Sequence, residues 1–285
     1  MKKTLVLTML ACCAGLFAAA DLKLTANPKT LQVENNGDVY TFNTFIRGSW
    51  GKLLTFGKAA PDAVTLALRT GAGVVHPQAV PADIKVLTKT PEKIVILGSY
   101  KLAIAGKADL PEKNLSLVIR YTFIKGMPGF SAVGKLSTTT ETPLQMFSVN
   151  AGSKYETFSV KGGAPQKNTA DWKLLKGVNS KNPEGIAAFK KDRRMFFYAP
   201  LNSTSGGGFY IPVVTAWHKL TLKAGEGKDF RFAVSLGATK EQDETLVSFC
   251  KGEKNIELPG TEKESSTASV RSPFLKPTKI TVQFI

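Results

Sequence analysis

The sequence has few of the residues that build metal sites and nucleophilic active sites. Its 285 residues include only two histidines, His76 and His218, and three cysteines. The spacings H-x-x-x-H, H-E-x-x-H and C-x-x-C, which bring metal ligands together, do not occur. The G-x-S-x-G turn that exposes a nucleophilic serine is also absent. We therefore expect no metal site and no cofactor, and several large enzyme classes are disfavoured.

The sequence also lacks an apolar run of the length that spans a membrane. Its uncharged run at residues 5–17 is shorter than the roughly 18 residues that a transmembrane helix needs. Lys2 and Lys3 precede this run, and three small residues, ending at Ala20, follow it. This order is typical of a secretory signal peptide. We predict cleavage after Ala20, so that residues 1–20 are a signal peptide and the protein is secreted or periplasmic.

Cysteine becomes scarcer still once the signal is removed, because Cys12 and Cys13 lie within it. Cys250 then remains as the single cysteine, so an internal disulfide is excluded and stability must come from the core. A second interpretation of the N-terminus remains open. The run Leu-Ala-Cys-Cys at residues 10–13 distantly resembles a lipoprotein cleavage box, in which Cys12 or Cys13 would carry the lipid anchor.

Acidic residues are few relative to basic ones. The chain has 38 Lys and Arg against 22 Asp and Glu, a formal net charge of +16, which becomes +14 without residues 1–20. Such an excess favours polyanionic partners such as acidic glycans or anionic envelope surfaces. An ordinary solvated surface is the alternative, since most lysines are scattered. No nucleic-acid-binding module is recognisable, so we expect no nucleic acid partner.

Long helical patterns are missing, and alternating apolar and polar residues dominate instead. Some fifteen short segments rich in β-branched and aromatic residues recur at the spacing of antiparallel strands. They include residues 64–68, 84–87, 93–97, 115–123, 194–198, 209–211, 218–223, 230–236 and 279–284. A parallel sheet would need crossover helices that the chain does not provide.

One short helix is predicted at residues 240–251. Thr239 is a suitable N-cap, and the acidic residues in the first turn favour the positive end of the helix dipole. The fold class is therefore all-β: a large antiparallel β-sandwich with at most one or two short helices. No repeat or linker divides residues 21–285, so we predict a single domain.

Aromatic residues set among turn-forming residues are the first candidates for ligand contact. Trp50 lies in the run Arg47-Gly48-Ser49-Trp50-Gly51, and Trp172 lies in the irregular polar stretch at residues 162–182. Flat aromatic faces can stack on sugar rings, and Arg47 could meet a charged group. Ordinary core or rim packing is the alternative for each of them.

Two arginines and two proton carriers complete the set of candidates. Arg193 and Arg194 follow Asp192 in a predicted charged turn, where a guanidinium could bind a carboxylate or sulfate in bidentate fashion. A solvent-exposed hairpin tip is the alternative. His218 and Tyr155 are the candidates for acid or base catalysis.

Three segments together resemble the galactose mutarotase-like family, whose β-supersandwich occurs in aldose epimerases, in polysaccharide-lyase β domains and in some glycoside hydrolases. They are LVIRYTF with KGMPGFSAV at residues 117–133, EGIAAF with MFFY at 184–198, and WHKLTLKAGE with FRFAVSLG at 217–237. The resemblance implies a supersandwich fold and a carbohydrate ligand. The histidine pair of aldose epimerases has no counterpart here.

We therefore expect an exported carbohydrate-binding protein that recognises an acidic glycan, with aromatic side chains orienting the sugar and Lys or Arg meeting its charge. A carbohydrate-active enzyme, either a polysaccharide lyase or a sugar epimerase, is the second hypothesis. A non-enzymatic envelope structural protein is the third.

Overall fold

The fold consists almost entirely of antiparallel strands. The computed structural model describes residues 21–27, 30–43, 51–57, 62–77, 83–105, 111–152, 156–160, 166–167, 173–174, 186–190, 193–200, 207–211 and 214–257. Within them every strand pair is antiparallel. The all-β prediction is confirmed. The predicted strand at residues 279–284 lies outside the described residues.

The described strands of the first half are β1 Lys23–Ala26, β2 Thr30–Asn35, β3 Asp38–Asn43, β4 Lys52–Phe56, β5 Asp62–Thr70, β6 Gly73–Pro77, β7 Asp83–Lys89, β8 Lys93–Ile104 and β9 Pro111–Ile124. Those of the second half are β10 Phe130–Thr138, β11 Thr142–Ala151, β12 Thr157–Val160, β13 Gln166–Lys167, β14 Lys173–Leu174, β15 Ile186–Lys190, β16 Arg193–Tyr198, β17 Gly207–Ile211, β18 Val214–Leu222 and β19 Gly227–Leu236. A single helix, α1, spans Lys240–Gly252.

The strands form two layers that β6 connects. The first layer has the order β7-β8-β9-β10-β19-β16-β15-β12-β13. The second has the order β1-β2-β3-β4-β5-β11-β18-β17-β14. β6 pairs with β5 of the second layer and with β8 of the first. The continuous sheet thus folds over on itself, as in a sandwich.

Aromatic rings fill the space between the layers. Tyr40 of β3 lies 5.2 Å from Phe123 of β9, and Phe147 of β11 lies 4.9 Å from Phe230 of β19, measured between ring centroids. These tilted and edge-to-face contacts join the second layer to the first, and such pairs stabilise a core beyond the area they bury. One side of each central strand therefore faces the core.

Helix α1 covers part of the outer face of the first layer. The Thr239 hydroxyl accepts from the Gln242 N–H at 3.3 Å, and the Gln242 side chain accepts from the Thr239 N–H at 2.9 Å. This capping box begins the helix where the sequence predicted it. The apolar side of the helix, including Leu246 and Phe249, packs in a second apolar cluster with Tyr198 of β16.

Two arginines attach α1 to the sheet. The Arg194 guanidinium donates to the Asp243 carboxylate and, at 2.9 Å, to the Ala238 carbonyl. At the other end, Arg231 donates to the carbonyls of Cys250, at 3.0 Å, and Lys251, at 3.2 Å. The last carbonyls of a helix lack partners within it, so Arg231 satisfies them and meets the negative end of the dipole.

One local prediction about a turn was wrong in part. Arg193, assigned to a charged turn, is the first residue of β16 and so precedes the predicted strand at residues 194–198 by one position. The alternating pattern began at Arg194, and only the pairing with β15 shows that Arg193 belongs to the strand. Among the described residues no helix is long and apolar enough to cross a membrane.

Candidate functional site

The outer face of the second layer carries a row of small residues across four neighbouring strands. Ala67 of β5 pairs with Ser148 of β11, Ser148 pairs with Ala216 of β18, and Ala216 pairs with Gly208 of β17. Directly paired residues share a face of a sheet. Ser148 is only 2% exposed, although its row lies opposite the core side. Ala67 and Ser148 have shorter side chains than the residues of the rows on either side of them, and we call this row the floor of the face.

A row with a cation borders the floor on one side. Arg69 of β5 pairs with Met146 of β11, which in turn pairs with His218 of β18. Arg69 is exposed and makes no ion pair with any residue the structure describes. Two strand spacings separate the backbones of Arg69 and His218, which is roughly 10 Å. Met146 occupies the position between them in this row.

A polar row borders the floor on the other side. Thr65 of β5 pairs with Lys52 of β4 and with Asn150 of β11, and Asn150 pairs with Val214 of β18. Val214 pairs with Tyr210 of β17, and Tyr210 pairs with Leu174 of β14. The two bordering rows lie four residues apart along each strand, which is roughly 13 Å. We call this three-row surface the β5–β11–β18 face.

Asn150 presents an acceptor on this face. Its side-chain amide donates to the Thr65 hydroxyl at 3.0 Å. Its carbonyl oxygen is buried and has no hydrogen-bond partner among the described residues. A buried acceptor left without a donor costs roughly 1–3 kcal/mol. A hydroxyl from a ligand or from water would remove that cost.

The described backbone near three predicted site residues, Arg47, Trp50 and Tyr155, is hydrogen-bonded to β5 beside the polar row. The Leu66 N–H donates to the Gly51 carbonyl at 3.0 Å, and the Gly152 N–H donates to the Ala63 carbonyl at 3.0 Å. Arg47, Trp50 and Tyr155 themselves lie outside the described residues.

Gly51 is required for the close approach of its backbone to Leu66 of β5. Its φ of +62° is strained for other residues, and a Cβ there would lie 2.3 Å from the Leu66 carbonyl oxygen and 3.0 Å from the His76 Cβ. Contacts that short do not occur between real atoms. The glycine therefore allows the chain to lie directly against β5 and β6 just before β4 begins.

Trp172 also lies outside the described residues, but its neighbour is placed. Lys173 begins β14 and pairs with Ile211, next to Tyr210 near the far end of the polar row. The described residues that follow Trp172 and Trp50 in the sequence, Lys173 and Gly51, thus lie near opposite ends of the polar row.

The structure does not bring Arg193 and Arg194 to this face. They lie on β16 of the first layer. The Arg194 guanidinium donates to Asp243 of α1 and lies 5.9 Å from the Phe196 ring centroid. The role of these arginines in ligand binding stays a prediction that the geometry does not test, while the role of Arg194 in holding α1 is evident.

Sequence reasoning missed Arg69, Ser148 and Asn150 as site residues. Each sits in an ordinary alternating strand, with no motif around it. The available signal was that β11 carries polar residues, Ser148 and Asn150, alternating with core positions Phe147 and Val149. Only the pairing of β11 with β5 aligns them with Arg69. No group of His, Cys, Asp and Glu suited to a metal occurs among the described residues.

The chain is similar to several solved structures at low sequence identity. A proposed aldose 1-epimerase from Klebsiella pneumoniae subsp. pneumoniae has 11% identity and a TM-score of 0.49, over 85% of this chain and 90% of that chain. The GH36 α-galactosidase AgaB from Geobacillus stearothermophilus has 11% identity and a TM-score of 0.43, over 75% of this chain and 40% of that chain. A YidC insertase with its first transmembrane domain resolved has 12% identity and a TM-score of 0.36, over 90% of this chain and 52% of that chain.

Proteins of the galactose mutarotase-like superfamily, which the sequence resembles, thus occur among the similar structures. The chain spans less than half of AgaB and about half of the insertase. No family model and no curated protein matches the sequence. Because these TM-scores lie below 0.5, they carry no argument about ligand or reaction. Inferences about ligand and reaction therefore depend on the residues of the β5–β11–β18 face.

Proposed function

We propose that the protein is an exported, single-domain carbohydrate-binding protein whose ligand lies on the β5–β11–β18 face. The observation that carries this proposal is the row of short side chains at Ala67 and Ser148 that separates Arg69 from Asn150 on one face. A surface depression with a few placed polar groups is the usual form of a small-ligand site. The predicted contacts Trp50 and Trp172 would stack on the sugar rings.

An acidic glycan suits the charge of this face better than a neutral one. Arg69 is a cation without an ion pair among the described residues, and Lys52 stands at the β4 end of the polar row. An arginine can bind a carboxylate through two parallel hydrogen bonds. The whole chain, at +16, adds a field that attracts anions.

A glycan array probed with the purified exported protein, at low and at moderate salt, tests the proposal. We expect uronate-containing or sulfated glycans to bind, and an Arg69→Gln variant to bind them about ten-fold less tightly or worse, since hydrogen bonds to charged groups are the stronger ones. Lys101→Gln is the matched control, because Lys101 is an exposed cation on β8 of the other layer. Failure to bind any glycan, charged or neutral, contradicts the proposal.

A second candidate function is lyase chemistry on a uronate, and the row that joins Arg69, Met146 and His218 favours it. Arg69 would neutralise the carboxylate, and His218 would take the proton from C5. The C4–O bond would then break, leaving a C4=C5 double bond, and the departing oxygen would take a proton from the protonated His218 as the sugar attached through it is released.

Incubation of the bound glycan with wild-type protein separates a binder from a lyase. If the protein is a lyase, the ultraviolet absorbance rises as the unsaturated uronate forms. A His218→Gln variant should then bind the glycan without this rise in absorbance. A constant absorbance for wild-type protein leaves the binding function standing and rejects the lyase.

A further inference from the structure

A groove at one end of the sandwich combines an apolar floor with a cationic rim. Leu22, Leu24 and Ile94 line its floor, and the cavity measures about 420 Å³. Lys23, Lys89 and Lys125 stand around it. Asp21 is the one acidic residue in the lining, so the lining carries a net charge of +2. The β5–β11–β18 face does not include any of these residues.

The lysines of the rim are available to an outside partner. Asp21 lies 3.8 Å from Lys23 and 4.0 Å from Lys125, and its side chain is 67% exposed. Ion pairs between exposed groups are weak, with a median near zero to about 1 kcal/mol. Lys89 is exposed and makes no ion pair with any described residue. None of the three ammonium groups is therefore firmly engaged.

Exposed apolar side chains lie beside the rim. Val86 and Leu87, just before Lys89 on β7, are 42% and 53% exposed, and they are the large apolar residues with high exposure in the described part of the chain. A register shift between Val86 and Thr88 leaves Leu87 as the extra residue of a bulge. Exposed apolar residues next to cations are the combination that binds the interface of an anionic membrane.

The position of the groove along the chain points to the same partner. Asp21 follows the apolar run at residues 5–17 by only four residues, a distance of at most about 14 Å when extended. The groove is held close to the lipid headgroups while that run occupies a membrane during export. A lipid on Cys12 or Cys13, after cleavage at that cysteine, would also hold the groove close to them. We propose that the groove and the adjoining β7 residues dock on an anionic phospholipid surface.

Vesicle binding by charge-matched variants tests this inference. The protein is expressed with Cys12→Ser and Cys13→Ser, which prevents lipid attachment during export. The exported form, residues 21–285 after the predicted cleavage, is purified and sedimented with vesicles of phosphatidylglycerol and phosphatidylcholine in equal parts. Each lysine near an anionic surface contributes about a five-fold gain in partitioning, so a Lys89→Gln/Lys125→Gln variant is expected to bind about 25-fold less. Leu87→Ser is expected to weaken binding as well.

The matched control is Lys101→Gln/Lys223→Gln, which has the same net charge. Both residues are exposed and lie away from the groove lining, and this variant is expected to bind as the wild type does. Equal losses in the two double variants would show attraction by net charge alone and overturn the inference. Absence of binding to the anionic vesicles, or equal binding to pure phosphatidylcholine, would also overturn it. Glycan binding is measured separately, so either proposal can fail without the other.

Discussion

Asn150 and Thr65 are joined across β11 and β5 by a hydrogen bond of 3.0 Å from the asparagine amide to the threonine hydroxyl. The bond orients the Asn150 side chain and leaves its carbonyl oxygen buried without a donor among the described residues. Asn150 is therefore held in one orientation with an acceptor still to satisfy. A group held in this way is prepared for a ligand at little entropic cost.

Replacing Asn150 tests this relationship. We expect Asn150→Ala to weaken glycan binding about three- to ten-fold, the effect of a neutral hydrogen bond of roughly 1 kcal/mol. The free energy of unfolding should change little, because the substitution also removes a buried acceptor that lacks a partner. Isothermal titration calorimetry and chemical denaturation measure the two quantities. Gln145→Ala, an exposed position on the same strand, is the control, and an equal loss of affinity there would contradict the role given to Asn150.

The contact between Arg194 and Asp243 should be important for stability. Asp243 is 2% exposed and also accepts from the Ser235 hydroxyl, so an Asp243→Asn variant leaves Arg194 without its counterion. We expect a loss of roughly 2–4 kcal/mol in the free energy of unfolding, near the range for breaking a buried ion pair. Urea denaturation gives the value. Glu244→Gln, on the exposed side of the same helix, should lie within about 0.5 kcal/mol of wild type, and similar losses in both variants would refute the explanation.

Alanine at Gly51 should damage the entry into β4. The left-handed φ and the 2.3 Å approach of a Cβ to the Leu66 carbonyl oxygen force the backbone to move, and strain of this kind costs roughly 1–3 kcal/mol. We expect a lower thermal midpoint together with weaker glycan binding, because the same glycine allows the chain to lie against β5 just before Lys52 of the polar row. Gly37→Ala provides the comparison, since Gly37 also has positive φ but nothing lies within 4 Å of a Cβ there. Loss of affinity in Gly37→Ala alone would be inconsistent with this account.

Cys250 should react with thiol reagents only after the protein unfolds. It lies on the buried face of α1, toward the sheet, and burial, with the nearby Glu253 charge, raises the pKa of its thiol to about 12. The thiolate is the reactive form, so almost none is present near pH 8. In a Cys12→Ser/Cys13→Ser background, we expect no labelling by Ellman's reagent in native buffer and labelling of one thiol in guanidinium chloride. Rapid native labelling would show that α1 opens from the sheet.

Local signals in the sequence predicted the individual elements well. Thr239 and Gln242 form a capping box whose two hydrogen bonds depend on residues three apart, so the start of α1 could be predicted. Alternation at residues 230–236 predicted β19 in the same way. Arg194 shows where such reasoning stops, because its partner Asp243 is 49 residues away and belongs to a helix packed on another strand.

The candidate site likewise combines a residue that the sequence could indicate with residues that only strand pairing brings beside it. His218 could be selected by its chemistry, but nothing near it in the sequence indicates Arg69, which lies 149 positions earlier and shares its row only through Met146.

Several features were determined by the sequence alone, because each depends on composition or on neighbouring residues. They are the scarcity of histidine and cysteine, the basic charge, the apolar segment at residues 5–17 and the alternating pattern. Which strands pair, and so which polar residues border one floor, was decided by the tertiary structure, because strand register depends on contacts between residues far apart in the chain.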